Sequence, residues 1–326
     1  MDRLEISNLS KSYDKKVLND INLILEPGLY GLLGANGSGK STLMKILATL
    51  LKPSSGNVVF NGEKVKRNNS KYLDKISYLP QDFGVYSNFS GKEFIDYIGK
   101  LKGVPTGKLR ERSEILFKKF ELRDYKSRNV AKYSGGMKRR IGIIQAFINN
   151  PSIILLDEPT AGLDPMQRLT FKNFISEESK NRIIIYSTHI TEDIESICDN
   201  IIMIKSGEII SEGTEEEVLK ALENKIYEII ISKSGLLDFL ENNLVVNYKE
   251  QDNCYRVRYI SNKQTCNSKL VKPNLEDLYL YYNKESEMLK MFSLIGYEFK
   301  KIIKNKVNII SILIMTLIIL YSFIPK

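Results

Sequence analysis

The stretch LYGLLGANGSGKST, residues 29–42, joins an apolar, strand-like run to a glycine-rich loop that opens a helical pattern. From Gly34 to Ser41 it fits the pattern G-x-x-x-x-G-K-[ST] of a phosphate-binding loop. Such glycines let backbone N–H groups wrap phosphate oxygens, while the lysine reaches the outer phosphates and the serine hydroxyl can ligate Mg²⁺. The stretch therefore predicts a nucleotide site between a strand and a helix. The loop residues that we expect to contact the nucleotide are Gly34, Asn36, Gly37, Gly39, Lys40, Ser41 and Thr42.

A second apolar run, SIILLDEP at 152–159, ends in two adjacent carboxylates. At the end of a strand, Asp157 is placed to hold Mg²⁺ through a coordinated water. Glu158 beside it can polarise an attacking water as a general base. A lone Asp-Glu pair would usually be a turn, but after a phosphate-binding loop in an α/β chain it predicts a hydrolytic site.

Further apolar runs alternate with helical patterns over the first two thirds of the chain. Their continuous apolar content indicates burial on both faces, as in a mostly parallel sheet covered by helices. The predicted strands lie at 29–34, 75–80, 152–157, 182–188 and 200–205. The predicted helices lie at 40–51, 135–148, 166–180 and 190–197.

Two insertions interrupt this α/β pattern. Residues 90–122 read as helical throughout and predict a small helical subdomain, with core positions at Phe94, Ile98 and Leu101. Residues 56–65 alternate and turn at an Asn-Gly pair, which predicts a hairpin in an antiparallel β subdomain.

Length and composition bound the remaining possibilities. A chain of 326 residues predicts one large domain with an appendage, and the pattern after Asn224 indicates a small α+β unit ending near Asn283. The net charge of +9 is compatible with a solvated lysine-rich surface, nucleic acid or an anionic membrane. Three cysteines without a CxxC pair fit a reducing compartment, and the polar N-terminus is unlike a signal peptide.

Taken in order, six short motifs resemble those of the ATPase subunit of an ATP-binding-cassette (ABC) transporter. The motifs are GANGSGKST, YLPQD with Gln81, YSGGM at 133–137, IILLDE, AGLD at 161–164, and STHI with His189. The resemblance covers residues 1 to about 220, with Tyr133 and Met137 in place of the commoner leucine and glutamine. Two further segments, GLDP after YSGGMKRR and NLEDLYLYY at 274–282, are similar to the drug- and antibiotic-exporter branch.

The resemblance implies roles for residues outside the phosphate-binding loop. Gln81 would contact Mg²⁺ or the attacking water and relay to the membrane partner, and His189 would contact the γ-phosphate. Tyr13 would stack on the adenine ring. Asp164 would cross to the opposite subunit, although an aspartate at this position could also simply cap a helix.

The family also suggests which anion the YSGGM motif binds. Its subunits pair head to tail and hold two ATP molecules between them, so that Ser134, Gly135 and Gly136 would grip the γ-phosphate of the partner's ATP. A glycine-rich helix cap would account for the glycines but not for their place in the ordered set.

The C-terminal residues predict attachment to a membrane. Residues 307–324 contain no charge, and as a helix they would span roughly 27 Å, which is enough for a bilayer core. Residues 285–306 predict an amphipathic interfacial helix, with an apolar stripe formed by Met288, Phe292, Ile295, Phe299 and Ile302. Lysines on the N-terminal side of the span place the ATPase on the cytoplasmic face of the cell membrane. The span is either the first helix of a permease or a simple tail anchor.

The sequence thus predicts an α/β ATPase domain over 1–223, an α+β appendage over 224–284, and the two membrane-associated helices. With ATP and Mg²⁺ as cofactors, the expected function is ATP hydrolysis that drives a membrane exporter. The expected partners are a second ATPase subunit, a permease and membrane lipid. The alternative is a soluble ABC ATPase that acts on ribosomes or nucleic acid. It is disfavoured because the chain has one phosphate-binding loop and no long coiled coil, so no nucleic-acid partner is expected.

Overall fold

The computed structural model describes residues 1–195 and 197–283. The predicted interfacial helix at 285–306 and the predicted membrane span at 307–324 lie outside these residues. Within the described part, no helix is both long enough and apolar enough to cross a bilayer.

Strands and helices alternate along most of the described chain. The strands are β1 Leu4–Ser12, β2 Lys16–Leu25, β3 Gly28–Leu33, β4 Ser55–Phe60, β5 Glu63–Lys64, β6 Ile76–Leu79, β7 Ile153–Asp157, β8 Ile183–Thr188, β9 Asn200–Lys205, β10 Glu208–Gly213, β11 Ile226–Ser232, β12 Leu244–Gln251, β13 Cys254–Ile260 and β14 Lys269–Leu270. The helices are α1 Lys40–Leu47, α2 Ser70–Leu73, α3 Gly91–Leu101, α4 Thr106–Lys119, α5 Gly135–Phe147, α6 Pro165–Glu178, α7 Glu215–Leu219, α8 Leu236–Asn242, and α9 over 275–283.

A six-stranded sheet with the order β10-β9-β3-β8-β7-β6 forms the centre of the molecule. The pairs β6–β7, β7–β8, β8–β3 and β3–β9 are parallel, and β10 joins the edge antiparallel to β9. The five predicted strands of the α/β pattern are therefore confirmed. Because their carboxyl ends meet at one edge, the loops that follow β3, β6, β7 and β8 converge there.

Both faces of this sheet are covered, as the continuous apolar runs predict. In β7, Ile154 and Leu156 belong to one buried cluster with α5 and α6, whereas Ile153 and Leu155 belong to another with α1 and the β1–β4 region. All four side chains are fully buried. Each contributes roughly 1.5–3 kcal/mol relative to an exposed position, so the two clusters fix which face of β7 each residue takes.

A second sheet, with the order β2-β1-β4-β5, is antiparallel throughout. Its β4–β5 hairpin turns at Asn61 and Gly62, which have φ angles of 51° and 79°. Two successive positive φ angles are typical of the type I′ hairpin turn that an Asn-Gly pair favours. The predicted hairpin is confirmed.

The helical insertion differs from its prediction in one respect. Residues 90–122 do not form one continuous helical pattern, because α3 and α4 are separated at 102–105. Gly103 has a φ of +70°, and Pro105 disfavours a helical conformation at the residue before it. Phe94 is buried as expected, but the side chain of Leu101 is 65% exposed, so its predicted core position is wrong.

The helix predicted over 190–197 is also wrong. The described residues of this segment form only a short 3₁₀ turn, Thr191–Asp193, followed by a turn. The reason lies in the interior contacts of the polar side chains. Asp193 is 2% exposed and accepts a hydrogen bond of 2.5 Å from the Thr160 hydroxyl, with the Arg168 guanidinium 3.9 Å away. An amphipathic helix would turn its polar side chains to solvent, whereas Asp193 is held in the interior by these contacts.

The C-terminal unit is a four-stranded antiparallel sheet, with the order β12-β13-β11-β14, and α8. Helix α9 returns to the large sheet, since Leu275 and Leu278 are fully buried in the cluster that includes Ile194 and Met203. The Arg258 side chain on β13 fixes α9. It donates hydrogen bonds of 2.8 and 2.6 Å to the two carboxylate oxygens of Asp277, which is fully buried.

This ion pair supplies a test of how the appendage is held. Asp277→Ala removes one partner and leaves the Arg258 charge largely buried, which costs about 3–5 kcal/mol. We expect hydrogen exchange of the β13 amides to accelerate by at least about 100-fold. The matched control is Glu250→Ala, which removes an exposed ion pair with Lys233 and should leave exchange unchanged. Equal exchange in the two variants would contradict a structural role for the Arg258–Asp277 pair.

Candidate functional site

A cavity of about 270 Å³ lies where the loops after β3, β6 and β7 converge. Its lining residues are Val17, Asn36, Gly37, Gly39, Lys40, Ser41, Thr42, Gln81, Asp157 and Glu158. The structure thus brings the glycine-rich loop and the carboxylates of the second motif to one place, together with Gln81. Val17 is a lining residue that sequence reasoning did not include.

The glycine-rich loop turns sharply so that its backbone faces the cavity. Gly39 has a φ of +114°, and a Cβ atom there would lie 2.7 Å from the Leu18 side chain and 3.1 Å from the Val17 carbonyl oxygen. Glycine is required at this position because the positive φ angle and the lack of space for a Cβ atom both exclude other residues. Helix α1 begins directly afterwards, at Lys40, so that free N–H groups and the positive end of the helix dipole meet at the cavity.

Lys40 places a buried positive charge within the loop. Its ammonium donates hydrogen bonds to the carbonyl oxygens of Gly34, at 2.5 Å, and Ala35, at 3.1 Å, and the residue is only 6% exposed. Burial lowers the pKa of Lys40, while the nearby carboxylates of Glu158 and Asp157 act in the opposite direction. Lys40 thus lines the same cavity as the two carboxylates.

Asp157 is held by two hydroxyl groups from the neighbouring strands. Ser187 on β8 donates a hydrogen bond of 2.5 Å to Oδ1, and Tyr78 on β6 donates one of 3.4 Å to Oδ2. Burial raises the pKa of Tyr78, and the Asp157 charge raises it further, which keeps the phenol protonated as a donor. Sequence reasoning missed both hydroxyl residues, although Ser187 lies directly opposite Asp157 in the parallel register.

Glu158 leaves the strand in an unusual conformation. Its φ is +51°, in the left-handed region that β-carbon sterics disfavour for a residue such as glutamate. The backbone N–H of Glu158 donates to the Ser187 carbonyl oxygen at 3.1 Å, and its Oε1 lies 2.8 Å from Nδ1 of His189. Glu158 is therefore buried beside the cavity and bonded to a half-exposed imidazole.

The remaining predicted residues do not line this cavity. Ser134 caps α5 by accepting a hydrogen bond of 3.2 Å from the Met137 N–H, and a Cβ atom on Gly135 would meet no neighbour within 4 Å. A Cβ on Gly136 would lie 2.9 Å from the Gly162 carbonyl oxygen, so the YSGGM and AGLD motifs are adjacent.

Two other predicted contacts lie on the surface. Asp164 caps α6 through a hydrogen bond of 2.9 Å from the Gln167 N–H to its Oδ1, which is the simpler role considered from the sequence. Tyr13 is 59% exposed, with the Lys11 ammonium 4.9 Å from its ring centroid.

The cavity also provides the ligands that Mg²⁺ prefers. Within the described residues, no three His, Cys, Asp or Glu side chains cluster as a metal site. A Mg²⁺ ion bound with a nucleotide needs few protein ligands, because it keeps waters and phosphate oxygens in its octahedral shell. Ser41, Asp157 and Gln81 line one cavity, and the oxygen ligands that their side chains carry (a hydroxyl, a carboxylate and an amide oxygen) fit this requirement.

Several known proteins are similar to this chain in sequence and in architecture. The family profile described as ABC transporter matches residues 18–161. The chain is 36% identical over 209 residues to the ABC transporter ATP-binding protein NatA of Bacillus subtilis, covering 63% of this chain and 85% of that protein. It is 30% identical over 237 residues to the daunorubicin resistance ATP-binding protein DrrA3 of Streptomyces coeruleorubidus, covering 72% and 75%.

A solved structure of an ATP-binding subunit of an ABC transporter has the same architecture, with a TM-score of 0.64 and 28% identity. The match covers 68% of this chain and 93% of the solved one. Since the relatedness extends over most of each relative's own length, this chain belongs to the ABC transporter family as an ATP-binding ATPase subunit.

Proposed function

We propose that this subunit hydrolyses ATP between two head-to-tail copies and thereby drives a membrane exporter. The observation that supports hydrolysis most directly is the position of Glu158. This buried residue lines the same cavity as the phosphate-binding loop, and its Oε1 lies 2.8 Å from Nδ1 of His189. A general base must reach the attacking water while the phosphates are held nearby, and this shared lining supports that role for Glu158.

The phosphates would be held by the loop that precedes α1. Its N–H groups and the Lys40 ammonium bind the β- and γ-phosphate oxygens, and the contacting residues are Gly34, Asn36, Gly37, Gly39, Lys40, Ser41 and Thr42. Ser41, Asp157 and Gln81 would hold Mg²⁺. When bound, the ion neutralises charge on the phosphate oxygens.

Hydrolysis would proceed by proton transfer at Glu158. This carboxylate would accept a proton from the water that attacks the γ-phosphorus, while the bond between the γ-phosphorus and the β,γ-bridging oxygen breaks and ADP leaves. The imidazole of His189 would hold the carboxylate in place and reach the γ-phosphate. The backbone N–H bond to Ser187 keeps Glu158 turned toward the cavity. Gln81, which lines the same cavity, would orient the water or the ion and relay its state to the permease.

The exposed motifs would complete the site of a second copy. Ser134, Gly135 and Gly136 lie outside the cavity of their own chain, and Ser134 and Gly135 face open solvent. With the positive end of the α5 dipole behind them, these residues suit the γ-phosphate of a partner's ATP. Asp164 would contact the partner from the adjacent AGLD loop, and Tyr13 would stack on the adenine.

The exporter assignment is supported by the relatives. The daunorubicin and linearmycin resistance ATP-binding proteins are 30% and 32% identical to this chain over 72% and 67% of its length. We therefore propose export of a small organic compound by a permease partner. The relatives are transporter components, so an action on ribosomes or nucleic acid is not favoured.

We also propose that the C-terminal residues attach the subunit to the cytoplasmic face of the membrane. Residues 285–306 would form the interfacial helix and 307–324 the span, on the basis of their sequence. The ATPase domain would extend over 1–223 and the appendage over 224–284.

Glu158→Gln tests the catalytic role. The amide cannot accept the proton, so turnover should fall by at least about 100-fold, while ATP binding is retained because the phosphate loop is unchanged. Steady-state ATPase rates and binding of a fluorescent ATP analogue would be measured. Glu63→Gln, in the exposed β5 turn, is the matched control and should turn over like the wild type. Near-normal turnover of Glu158→Gln would remove this residue from catalysis.

Mixing two inactive variants tests the shared site. Ser134→Arg disrupts only the motif that would contact the partner's ATP, and Lys40→Ala disrupts only the phosphate-binding loop. Each protein should therefore be inactive alone. Heterodimers of the two contain one intact site, and the mixture should recover part of the ATPase activity. Mixing Ser134→Arg with the double variant Lys40→Ala/Ser134→Arg cannot form an intact site and should recover none. Full activity of Ser134→Arg alone would refute action across the interface.

Membrane attachment is tested with the full chain. It should sediment with membranes and resist extraction by high salt, because an apolar span is held by the hydrophobic effect rather than by charge. Leu313→Arg together with Leu317→Arg places two charges within the apolar run, each costing about 2.5–3.5 kcal/mol on insertion, and should release the protein. A wild-type chain that is freely soluble without detergent would contradict the proposed span.

A further inference from the structure

Helix α5 carries a buried arginine that reaches two segments of the ATP site. Arg139 is only 6% exposed, and among the described residues all the acceptors of its guanidinium hydrogen bonds are backbone carbonyls. Nη1 donates to Pro80 at 2.9 Å and Gln81 at 3.1 Å, and Nε donates to Pro159 at 3.0 Å. Nη2 donates to the carbonyl oxygen of Asp157.

These four acceptors lie on the two loops that meet at the cavity. Pro80 and Gln81 follow β6, whereas Asp157 and Pro159 enclose Glu158 at the end of β7. The planar guanidinium joins the two loops at a fixed separation. The pairing of the parallel strands β6 and β7 ends at Leu79 and Leu156, so it does not hold the loops together beyond that point. The carboxylates of Asp157 and Glu158 balance the buried charge without pairing with it directly.

We propose that Arg139 is a positioning residue for hydrolysis, which sets the distance between Gln81 and the Asp157–Glu158 pair. This inference rests on the proposed catalytic role of Glu158. The residue acts on the backbone of both loops and is not among the residues that line the cavity. A substitution that breaks these hydrogen bonds would therefore displace Glu158 relative to Gln81 and leave the phosphate-binding loop intact.

The next residue along α5 provides an internal comparison. Arg140 is buried to the same degree, at 8% exposure, but donates to the Phe120 carbonyl oxygen and lies 3.7 Å from the Glu121 carboxylate. Both of these partners belong to the end of the helical insertion, and neither lines the cavity. The two arginines thus share a helix, a charge and a degree of burial. They differ in the segments of backbone to which they donate hydrogen bonds.

Lysine is the informative replacement at both positions. It keeps the charge and the apolar stem, but its compact ammonium cannot span acceptors that a planar guanidinium reaches from opposite edges. Arg139→Lys can therefore bond to one loop or the other and loses the connection between them. Arg140→Lys suffers the same chemical change away from the site.

The experiment compares these variants in the full chain, purified in a mild detergent. Arg139→Lys should lower kcat roughly 10- to 100-fold, the scale expected for a misplacement of about 1 Å at a reacting centre. The Kd of a fluorescent ATP analogue should stay within about threefold of the wild type, because the interactions lost serve the transition state alone. Arg140→Lys should keep both values near those of the wild type. Melting temperatures of the two variants show whether either change simply unfolds the protein.

A second readout separates positioning from general damage. If Arg139 acts by placing Gln81 against Glu158, the effects of Arg139→Lys and Gln81→Ala overlap, and the double variant should lose less than the product of the single losses. Independent, multiplicative losses would overturn the proposal, as would equal kcat values for Arg139→Lys and Arg140→Lys. If Arg139→Lys melts far below Arg140→Lys, then Arg139→Gln, which keeps amide donors without a buried charge, is put through the same comparison.

The proposed function itself is judged on the wild type. Absence of ATP hydrolysis by the wild-type chain, or normal hydrolysis by Glu158→Gln, contradicts the catalytic assignment. An active wild type, an inactive Glu158→Gln and an unaffected Arg139→Lys contradict only the positioning role.

Discussion

The register between the parallel strands β7 and β8 is the constraint on which the site depends. It sets Asp157 directly opposite Ser187, and the next pair of strands sets Leu33 opposite Thr188. A slip of one residue would turn every side chain of β7 to the other face of the sheet, because successive strand residues point in opposite directions. The alternate burial of Ile153 and Ile154 in two separate clusters prevents such a slip. The apolar residues of the strand thus determine where its terminal carboxylates lie.

At the strand ends, the site is held by polar contacts that the sheet itself does not supply. The hydroxyls of Ser187 and Tyr78 orient the two oxygens of Asp157, and the imidazole of His189 contacts Glu158. Glu158 adopts its left-handed conformation while its N–H remains bonded to the Ser187 carbonyl. The chain therefore turns out of the sheet within one residue, and adjacent carboxylates face different partners.

The sequence predicts the secondary structure correctly where one local interaction dominates. Continuous apolar runs predict the five central strands, and the Asn-Gly pair predicts the hairpin, because burial and turn geometry act locally. The helix over 190–197 and the core position of Leu101 were wrong, since tertiary contacts of Asp193 and the break before Pro105 override the local pattern. Strands β1 and β2 were not assigned individually. Tyr78, Ser187 and Arg139 were missed because their importance comes from partners that are distant in the chain.

The YSGGM motif combines exposed residues with buried ones. At its start, Tyr133 is 4% exposed and its hydroxyl donates to the Tyr125 carbonyl oxygen at 2.8 Å. At its end Met137 is buried, and two residues further along α5 Arg139 is bonded to the two cavity loops. The exposed Ser134 and Gly135 lie between these buried residues.

The motif therefore stands between two anchors, one in the helical insertion and one at the ATP site of its own chain. A rotation of the insertion relative to the sheet would act on α5 through Tyr133 and also through the bond from Arg140 to the Phe120 carbonyl oxygen. Tyr133 holds the start of α5 in place, and Arg139 bonds the helix to the carbonyl oxygens of Asp157 and Pro159, which flank Glu158. The exposed Ser134 and Gly135 are thereby connected through one helix to the backbone on either side of the proposed base.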